Sequence, residues 1–360
     1  MVIESLKIPQ VRITDFSAKK IIPSVDISPF VEYNKQRKEV HKSVLIQNFV
    51  TVSMQALSLF IMMALGLLLF KAKLFRRESL DDVTNILLWA VTPCLLINSF
   101  TRRFERSLAI SLGVFAAAAA LSMTLIALVM LFLLRRKNAD DRRVMTFATT
   151  FSNCGFMGLP LAEALYGEEG VMYASIFVAV FNLVQWTLGY CIMSGKGAPI
   201  KRVLINPGII GLVLGLPIFI FSLNLPDVLH STISAVAGVN TPLAMIVIGA
   251  HLACGDIVGA IKDKRVLTVC AMRLLVMPLA FMGILALFGT HGIFSIWWMP
   301  AKLAASVLLI ELAAPCGATT VLIGSLCGRD TELAGQCVAL STLLSVATLP
   351  VIASLGEMML

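Results

Sequence analysis

Apolar stretches long enough to cross a membrane follow one another from about residue 50 to the end of the sequence. A membrane helix needs roughly 20 predominantly apolar residues. Because 58% of the 360 residues are hydrophobic and only 14% are charged, the composition excludes a soluble globular protein. The sequence predicts an all-α membrane protein with ten transmembrane helices, at about 50–70, 83–100, 108–134, 144–165, 171–194, 205–223, 239–259, 266–289, 300–326 and 332–355.

Spans four and nine contain residues that interrupt a helix. Proline lacks an N–H and clashes with the preceding turn, and glycine loses more backbone entropy than other residues. Irregular backbone is tolerated inside a membrane only where it faces protein or water, and interruptions at matching places in two halves indicate a transporter's binding site. The residues that we expect to bind substrate there are Ser152, Asn153, Gly155, Pro160, Pro315, Cys316 and Gly317.

The chemistry of an interrupted helix predicts the kind of substrate. One half-helix starts with unpaired N–H groups, which favour a carboxylate, and the other ends with unpaired carbonyl groups, which suit a cation. We therefore predict a small organic anion as substrate, and leave open a coupled proton or sodium ion. Asn153 offers two donors and an acceptor at the first interruption. Its amide either contacts the substrate or caps the loose backbone.

Three further polar residues are predicted to have coupling or supporting roles. Glu311 lies one turn before Pro315 in an apolar run, where a carboxyl group is functional by default. It carries a proton, ligates sodium, pairs with a basic group or steadies the interruption as a neutral acid. Arg273 pairs with Glu311 or with a substrate carboxylate, or it snorkels to the membrane surface. Asn98 is placed to help close the site. We predict no metal centre, and a sodium ion would use Asn153, Glu311 and Thr319.

The two halves of the apolar region repeat one another. Ala90-Val-Thr-Pro93 is echoed by Val239-Asn-Thr-Pro242, and Leu165-Tyr-Gly167 is echoed by Leu326-Cys-Gly328. With five spans in each half, the second half enters the membrane upside down, which predicts an inverted repeat and alternating access. The predicted divisions are a disordered polar tail at 1–48 and five-helix repeats at 49–204 and 205–360.

Basic residues predict the orientation of the chain in the membrane. The loops after odd-numbered spans contain sixteen Lys and Arg residues, and the loops after even-numbered spans contain four. The positive-inside rule places the odd loops in the cytoplasm and both termini outside, in a multi-pass protein of the inner (plasma) membrane. The tail conflicts with this orientation, because its eight basic residues would lie outside. Whether residues 1–48 belong to the native protein is open, since Met54 would open the first span directly.

The sequence resembles the auxin efflux carrier family, which includes the plant PIN-FORMED carriers and bacterial permeases of the malonate and malate type. The resemblance covers roughly residues 50–356 and rests mainly on Asn153-x4-Gly158-Leu-Pro160, Leu165-Tyr-Gly167 and Ala314-Pro315-Cys-Gly317. Supporting matches are Asn206-Pro-Gly208, Pro242-Leu-Ala-Met and Thr348-Leu-Pro350.

The resemblance implies a scaffold of spans one, two, six and seven, and a mobile transport domain of spans three to five and eight to ten. It implies that spans four and nine cross beside the substrate, that Asn153 contacts the substrate, and that Pro160 and Pro315 are crossover prolines. The chain departs from the plant carriers at Thr319-Thr320, where they have a further proline, and in its short central loop at about 195–204. The resemblance therefore does not imply auxin as the substrate.

The sequence favours a secondary carrier over other classes of membrane protein. It contains no nucleotide-binding motif, metal cluster or nucleophile–base pair, so we predict neither an ATP-driven pump nor an enzyme. A sensor would normally carry a soluble signalling domain. The nearest alternative is a sodium-coupled bile-acid-type carrier, which needs polar sodium ligands around both crossovers. The predicted partners are the anion and the lipid bilayer, without nucleic acid, and homodimerisation follows from the resemblance only.

Overall fold

The computed structural model describes residues 50, 53–54, 57–102, 104–197, 207–254, 257–290 and 301–359. Within these ranges the chain is helical apart from turns, short linkers and one isolated β-bridge. The tail predicted at 1–48 and most of the predicted central loop lie outside the described residues.

The helices fall on either side of that loop. Before it lie α1 (Leu57–Lys71), α2 (Arg77–Ile86, Leu87–Val91 and Thr92–Phe100), α3 (Arg106–Leu133), α4 (Ala139–Thr150) and α5 (Cys154–Gly158, Leu159–Val184, Gln185–Gly189 and Tyr190–Ser194). After it lie α6 (Pro207–Ile220), α7 (Asp227–Gly238), α8 (Asn240–Cys254), α9 (Ile257–Lys262), α10 (Lys264–Ala271, Met272–Val276 and Met277–Thr290), α11 (Ala301–Ala313), α12 (Thr319–Leu326) and α13 (Thr331–Met359).

Six stretches of the described chain are helical, at least 18 residues long and apolar enough to cross a membrane. They are Asp82–Phe100, Arg106–Leu133, Cys154–Ser194, Asp227–Ala253, Lys264–Leu285 and Thr331–Glu357. Helices α1 and α6 are apolar but shorter. The predicted all-helical, multi-pass membrane fold is therefore confirmed, whereas the count of ten spans and the inverted repeat stay predictions.

Glycines bring two pairs of helices into close contact. A Cβ added to Gly66 of α1 would overlap the Ile246 carbonyl oxygen of α8, and one added to Gly249 of α8 would overlap the Met63 carbonyl oxygen of α1. Helix α6 approaches α2 similarly, since a Cβ on Gly211 would lie 2.8 Å from the Leu96 side chain. Small residues allow such close contact between membrane helices.

The two glycines of the echoed Leu-x-Gly motifs have the same unusual backbone conformation. Gly167 interrupts α5 with φ 61° and ψ −147°, and Gly328 follows α12 with φ 62°. These torsions are disfavoured for residues that carry a Cβ. The glycines are therefore required by the turns that end the two half-helices.

Arg265 and Arg329 tie several helix ends together. Arg265 donates to Asp263 at 2.7 Å and to Asp141 of α4 at 2.8 Å. Its guanidinium holds the pKa of the Asp263 carboxyl below the ordinary value. Arg329, after α12, donates to Asp140 of α4 and to the main-chain carbonyls at the end of α5. These bonds join α4, α5, α10 and α12 at one end of the helix bundle.

Candidate functional site

The two interruptions predicted from the sequence meet each other in the fold. The residues after α4 and after α11 are extended, and Ser152 and Cys316 form an antiparallel β-bridge. The Asn153 N–H donates a hydrogen bond of 2.7 Å to the Pro315 carbonyl oxygen. Such bonds satisfy backbone groups that an interrupted helix leaves without a partner. The interruptions therefore form one crossover.

Gly317 completes the pairing because it has no side chain. Its N–H donates to the Phe151 carbonyl oxygen at 2.9 Å, and a Cβ at this position would lie 2.8 Å from the Ser152 carbonyl oxygen. The N–H of the neighbouring Cys316 donates to the Ser341 hydroxyl of α13 at 3.0 Å. The segment after α11 is thus held by the segment after α4 on one side and by α13 on the other.

At the crossover, both main-chain groups of Asn153 form hydrogen bonds, whereas its side chain bonds to none of the described residues. Its carbonyl oxygen accepts bonds from the N–H groups of Met157 at 2.9 Å and Gly158 at 3.2 Å, which starts α5. The residue is 6% exposed, and within the described ranges its amide side chain makes no hydrogen bond. The Asn153 carbonyl oxygen therefore accepts the first main-chain bonds of the half-helix, its side chain forms no cap, and the amide remains available to a ligand.

Arg273, in the middle of α10, binds the carbonyl ends of both half-helices that lead into the crossover. At the end of α4 its guanidinium donates to the carbonyl oxygens of Thr149 at 2.8 Å and Thr150 at 3.2 Å. At the end of α11 it donates to the carbonyl oxygens of Ala314 at 2.8 Å and Glu311 at 3.4 Å. One side chain thus caps two helix C-termini.

These contacts differ from the interactions that we considered for Arg273. The residue is 0% exposed, so its side chain does not snorkel to the membrane surface. Its bond to Glu311 goes to the main-chain oxygen. Among the described residues, neither carboxylate oxygen of Glu311 has a hydrogen-bond partner. Sequence patterns missed the capping role, because main-chain acceptors have no residue-type signature.

The Glu311 carboxyl group packs against the start of α5. Glu311 is fully buried, and a Cβ on Gly158 would lie 2.6 Å from its Cδ atom. The glycine therefore provides the space that the acid occupies. The structure brings Glu311 to the crossover, as the sequence spacing predicts.

Thr319, at the start of α12, is already bonded to another helix. Its hydroxyl donates to the side-chain oxygen of Gln185 in α5 at 2.7 Å. The hydroxyls of Thr149 and Thr320 are buried without a hydrogen-bond partner in the described part of the chain. Of the three residues considered for sodium, Thr319 is thus engaged, whereas the Asn153 amide and the Glu311 carboxyl are not.

A cavity of about 1040 Å³ lies between α1, α2, α5, α7 and α8. Pro160 and Asn98 are the predicted site residues on its wall. Several ionisable side chains also line it, namely Arg102, Glu105, Glu163, Glu168, Glu169 and His230. The cavity therefore borders α5 within two turns of the crossover.

Asn240 is a polar wall residue that the sequence analysis did not select. It is 2% exposed, and its amide donates to the Gly155 carbonyl oxygen, in the first turn of α5, at 3.4 Å. The signal was present in the repeated motif, where Asn240 stands at the position of Val91 in the first half. A polar residue at a position that is apolar in the other repeat indicates a specific role.

Membrane helices that are interrupted beside a cavity are a feature of secondary transporters. The fold and the crossover are thus those expected of a membrane transport protein. Residues 51–203 and 199–353 match the family described as Membrane transport protein, so the chain belongs to this family, that of the auxin efflux carriers. This match confirms the resemblance and the prediction of a transporter rather than an enzyme.

Two relatives agree with this assignment. The chain is 26% identical over 302 residues to a protein named "Uncharacterized transporter" from Methanothermobacter thermautotrophicus, with 82% of this chain and 95% of the relative covered. It is 25% identical over 230 residues to a protein named "Putative malonate transporter" from Rhizobium meliloti, with 60% of this chain and 67% of the relative covered.

Proposed function

We propose that the protein is a secondary carrier for a small organic mono- or dicarboxylate, and that it works by alternating access. The observation that carries this proposal is the crossover, where the main chains of two interrupted helices are paired and the Asn153 amide is left unbonded by described residues. Such an amide is open to a ligand, to which it can offer two donors and one acceptor.

An anion is the ligand that suits this position. Helices α5 and α12 both begin at the crossover, and the first N–H groups of a helix carry partial positive charge. Ser152, Gly155, Pro160, Cys316 and Gly317 would shape the site around these N–H groups. The name of the Rhizobium relative adds malonate as the first substrate to test.

The architecture that we propose has ten spans, built from inverted repeats at 49–204 and 205–360. Spans one, two, six and seven, which are α1, α2, α6 and α8, would form the scaffold. Among them, α1 packs closely on α8, and α6 packs closely on α2. Span one corresponds to span six in the proposed repeat, and span two corresponds to span seven. The contact between spans one and seven is therefore equivalent to the contact between spans six and two. This correspondence supports the scaffold.

The turns after the two half-helices give independent support for the repeat. Gly167 and Gly328 share a positive φ, and an acidic residue follows each of them. Arg102 lies 4.0 Å from Glu168, and Arg265 lies 3.9 Å from Asp330. These arginines precede spans three and eight, which correspond in the two repeats. We propose that both termini lie outside the plasma membrane, because the positive-inside rule favours the basic loops on the cytoplasmic side.

We assign coupling to Glu311, through a proton. A charged carboxylate without a partner inside a membrane is costly, and the described residues give its oxygens no hydrogen bond. A carboxyl group that binds and releases a proton during the cycle avoids that cost. Its contact with the start of α5 supports a proton-binding group next to the proposed anion site.

Uptake of radiolabelled malonate into liposomes that contain the purified protein tests the proposed function. We expect saturable uptake, at least tenfold reduced in Asn153→Ala. Asn182→Ala is the matched control, because the Asn182 amide bonds to the Val178 carbonyl of its own helix. Normal uptake by Asn153→Ala would remove this residue from the site, and no uptake of malonate or any other small carboxylate would contradict the proposal.

A further inference from the structure

The carbonyl ends of the crossover are already occupied by a positive charge. In carriers with interrupted helices, the carbonyl groups at the ends of half-helices are where a coupling cation such as sodium is held. Here four such carbonyl oxygens, two from each side of the crossover, accept hydrogen bonds from Arg273. The side chain therefore lies where an external cation would bind.

The helix ends supply counter-charge to Arg273, and the nearby Glu311 carboxyl group also interacts with it electrostatically. The C-terminus of a helix is equivalent to roughly −0.5 elementary charge, so two helix ends supply about −1 against the +1 of the guanidinium. In the described chain Arg273 forms no ion pair with a carboxylate, although it is 0% exposed. A buried arginine without compensation would be strongly unfavourable. The two helix ends therefore act as its counter-charge.

The shape of the guanidinium also fits this role. Arginine has five N–H donors in a fixed planar arrangement and keeps its charge throughout the pH range of proteins. A single side chain can thus bond to carbonyl oxygens on two helices at once, which a monovalent ion does by coordination. Unlike an ion, Arg273 cannot leave when the substrate leaves.

We propose that Arg273 is a built-in cation that replaces a coupling sodium ion at the crossover. Wild-type protein then binds and moves its anion without sodium, and removal of the guanidinium exposes a carbonyl-lined site for a monovalent cation. The part that concerns transport rests on the proposed function, whereas the part that concerns cation binding does not.

The direct test measures the melting temperature of the purified full-length protein without any substrate. Each variant is heated in NaCl and in choline chloride at equal ionic strength. We expect equal melting temperatures for wild type in the two salts. Arg273→Ala and Arg273→Gln should melt lower than wild type and should regain several degrees in NaCl, because a ligand that binds the folded state stabilises it.

Two further variants separate this role from a general loss of packing. Arg273→Lys keeps the charge and should remain insensitive to sodium. Arg135→Ala removes an exposed arginine at the end of α3 and should also show no sodium response. Stabilisation of wild type by sodium would overturn the proposal, as would folded Arg273→Ala or Arg273→Gln protein without a sodium response. If neither neutral variant folds, the test rests on the melting temperatures of wild type and Arg273→Lys, and a response of either protein to sodium would overturn the proposal.

Malonate uptake in the same two salts provides the second test. Wild type should take up malonate equally in NaCl and choline chloride, and Arg273→Gln should require sodium. A sodium requirement in wild type would overturn the inference. Absence of malonate uptake in every salt would count against the proposed function and would leave the substrate-free melting experiment to decide the role of Arg273.

Discussion

The main-chain N–H of Asn153 bonds to the carbonyl oxygen of Pro315 at 2.7 Å, and this bond joins the interruptions of two helices. Proline has no N–H, so Pro315 leaves the Glu311 carbonyl oxygen without a helical donor, while its own carbonyl oxygen accepts from the other segment. The Asn153 side chain does not cap the first N–H groups of α5, which leaves both these groups and the amide open to a ligand. The crossover thus provides both a stable backbone and an unbonded amide.

Gly158→Ala should destabilise the protein, because the new Cβ would overlap the buried Glu311 carboxyl group. Overpacking of this kind costs about 1–3 kcal/mol. Gly155→Ala is the matched control, since a Cβ at Gly155 meets no atom within 4 Å in the described structure. Melting temperatures of the two variants give the comparison, and equal values would contradict the packing described here.

The double variant Gly158→Ala/Glu311→Ala tests the same contact directly. Removal of the carboxyl group leaves space for the new methyl group, so Gly158→Ala should cost less in the Glu311→Ala background than in wild type. Residues in contact show such non-additivity, whereas distant ones do not. Additive changes in melting temperature would show that the two residues do not touch.

Gly167→Ala and Gly328→Ala should each destabilise the protein by about 1–3 kcal/mol, because alanine is strained at their positive φ. Gly335→Ala, inside α13, should be neutral or stabilising, since its Cβ would meet open space and alanine favours a helix. Chemical or thermal denaturation measures the differences. If alanine were tolerated at both turns, the backbone conformation would not be as described.

Glu311→Gln should flatten the pH dependence of malonate uptake, because the amide cannot bind and release a proton. The matched control is Glu357→Gln, since Glu357 is bonded to Tyr166 at 2.6 Å and to Ser306 at 3.2 Å. Initial uptake rates are measured from acidic to neutral pH. A profile in Glu311→Gln that is parallel to wild type would remove Glu311 as the coupling group.

Asn240→Ala should weaken malonate binding about fivefold, because loss of its bond to the Gly155 carbonyl oxygen, about 1 kcal/mol, loosens the first turn of α5. Asn240→Asp should weaken it further, because a carboxylate near the crossover repels an anionic substrate. Binding isotherms of the two variants provide the test. Unchanged or tighter malonate binding in Asn240→Asp would contradict a position of Asn240 beside the bound anion.

The interruptions themselves were predictable from sequence. Glycine and proline inside apolar segments disturb a helix whatever surrounds them, so Gly158, Pro160 and Pro315 indicate the interruptions directly. Gly167 and Gly328 were recognised as equivalents, and they have the same backbone conformation. The all-helical fold followed from the apolar runs for the same reason, namely that each signal is local in the sequence.

The contacts across the crossover were not predictable. Pairing with Glu311, pairing with a substrate carboxylate and snorkelling were all open for Arg273, but the guanidinium bonds to main-chain oxygens. The space that Gly158 leaves for Glu311 depends on how α5 and α11 approach each other. Such relationships arise from tertiary packing, and no residue type or spacing in one segment encodes them.

The most direct measurement of the central claim is the thermal stabilisation of purified protein by small mono- and dicarboxylates, indole acids and bile acids, each with and without sodium. We predict that malonate or a similar small carboxylate raises the melting temperature of wild type in either salt, and that the rise is lost in Asn153→Ala. Stabilisation by bile acids alone, or only in the presence of sodium, would contradict the account. So would an undiminished rise in Asn153→Ala.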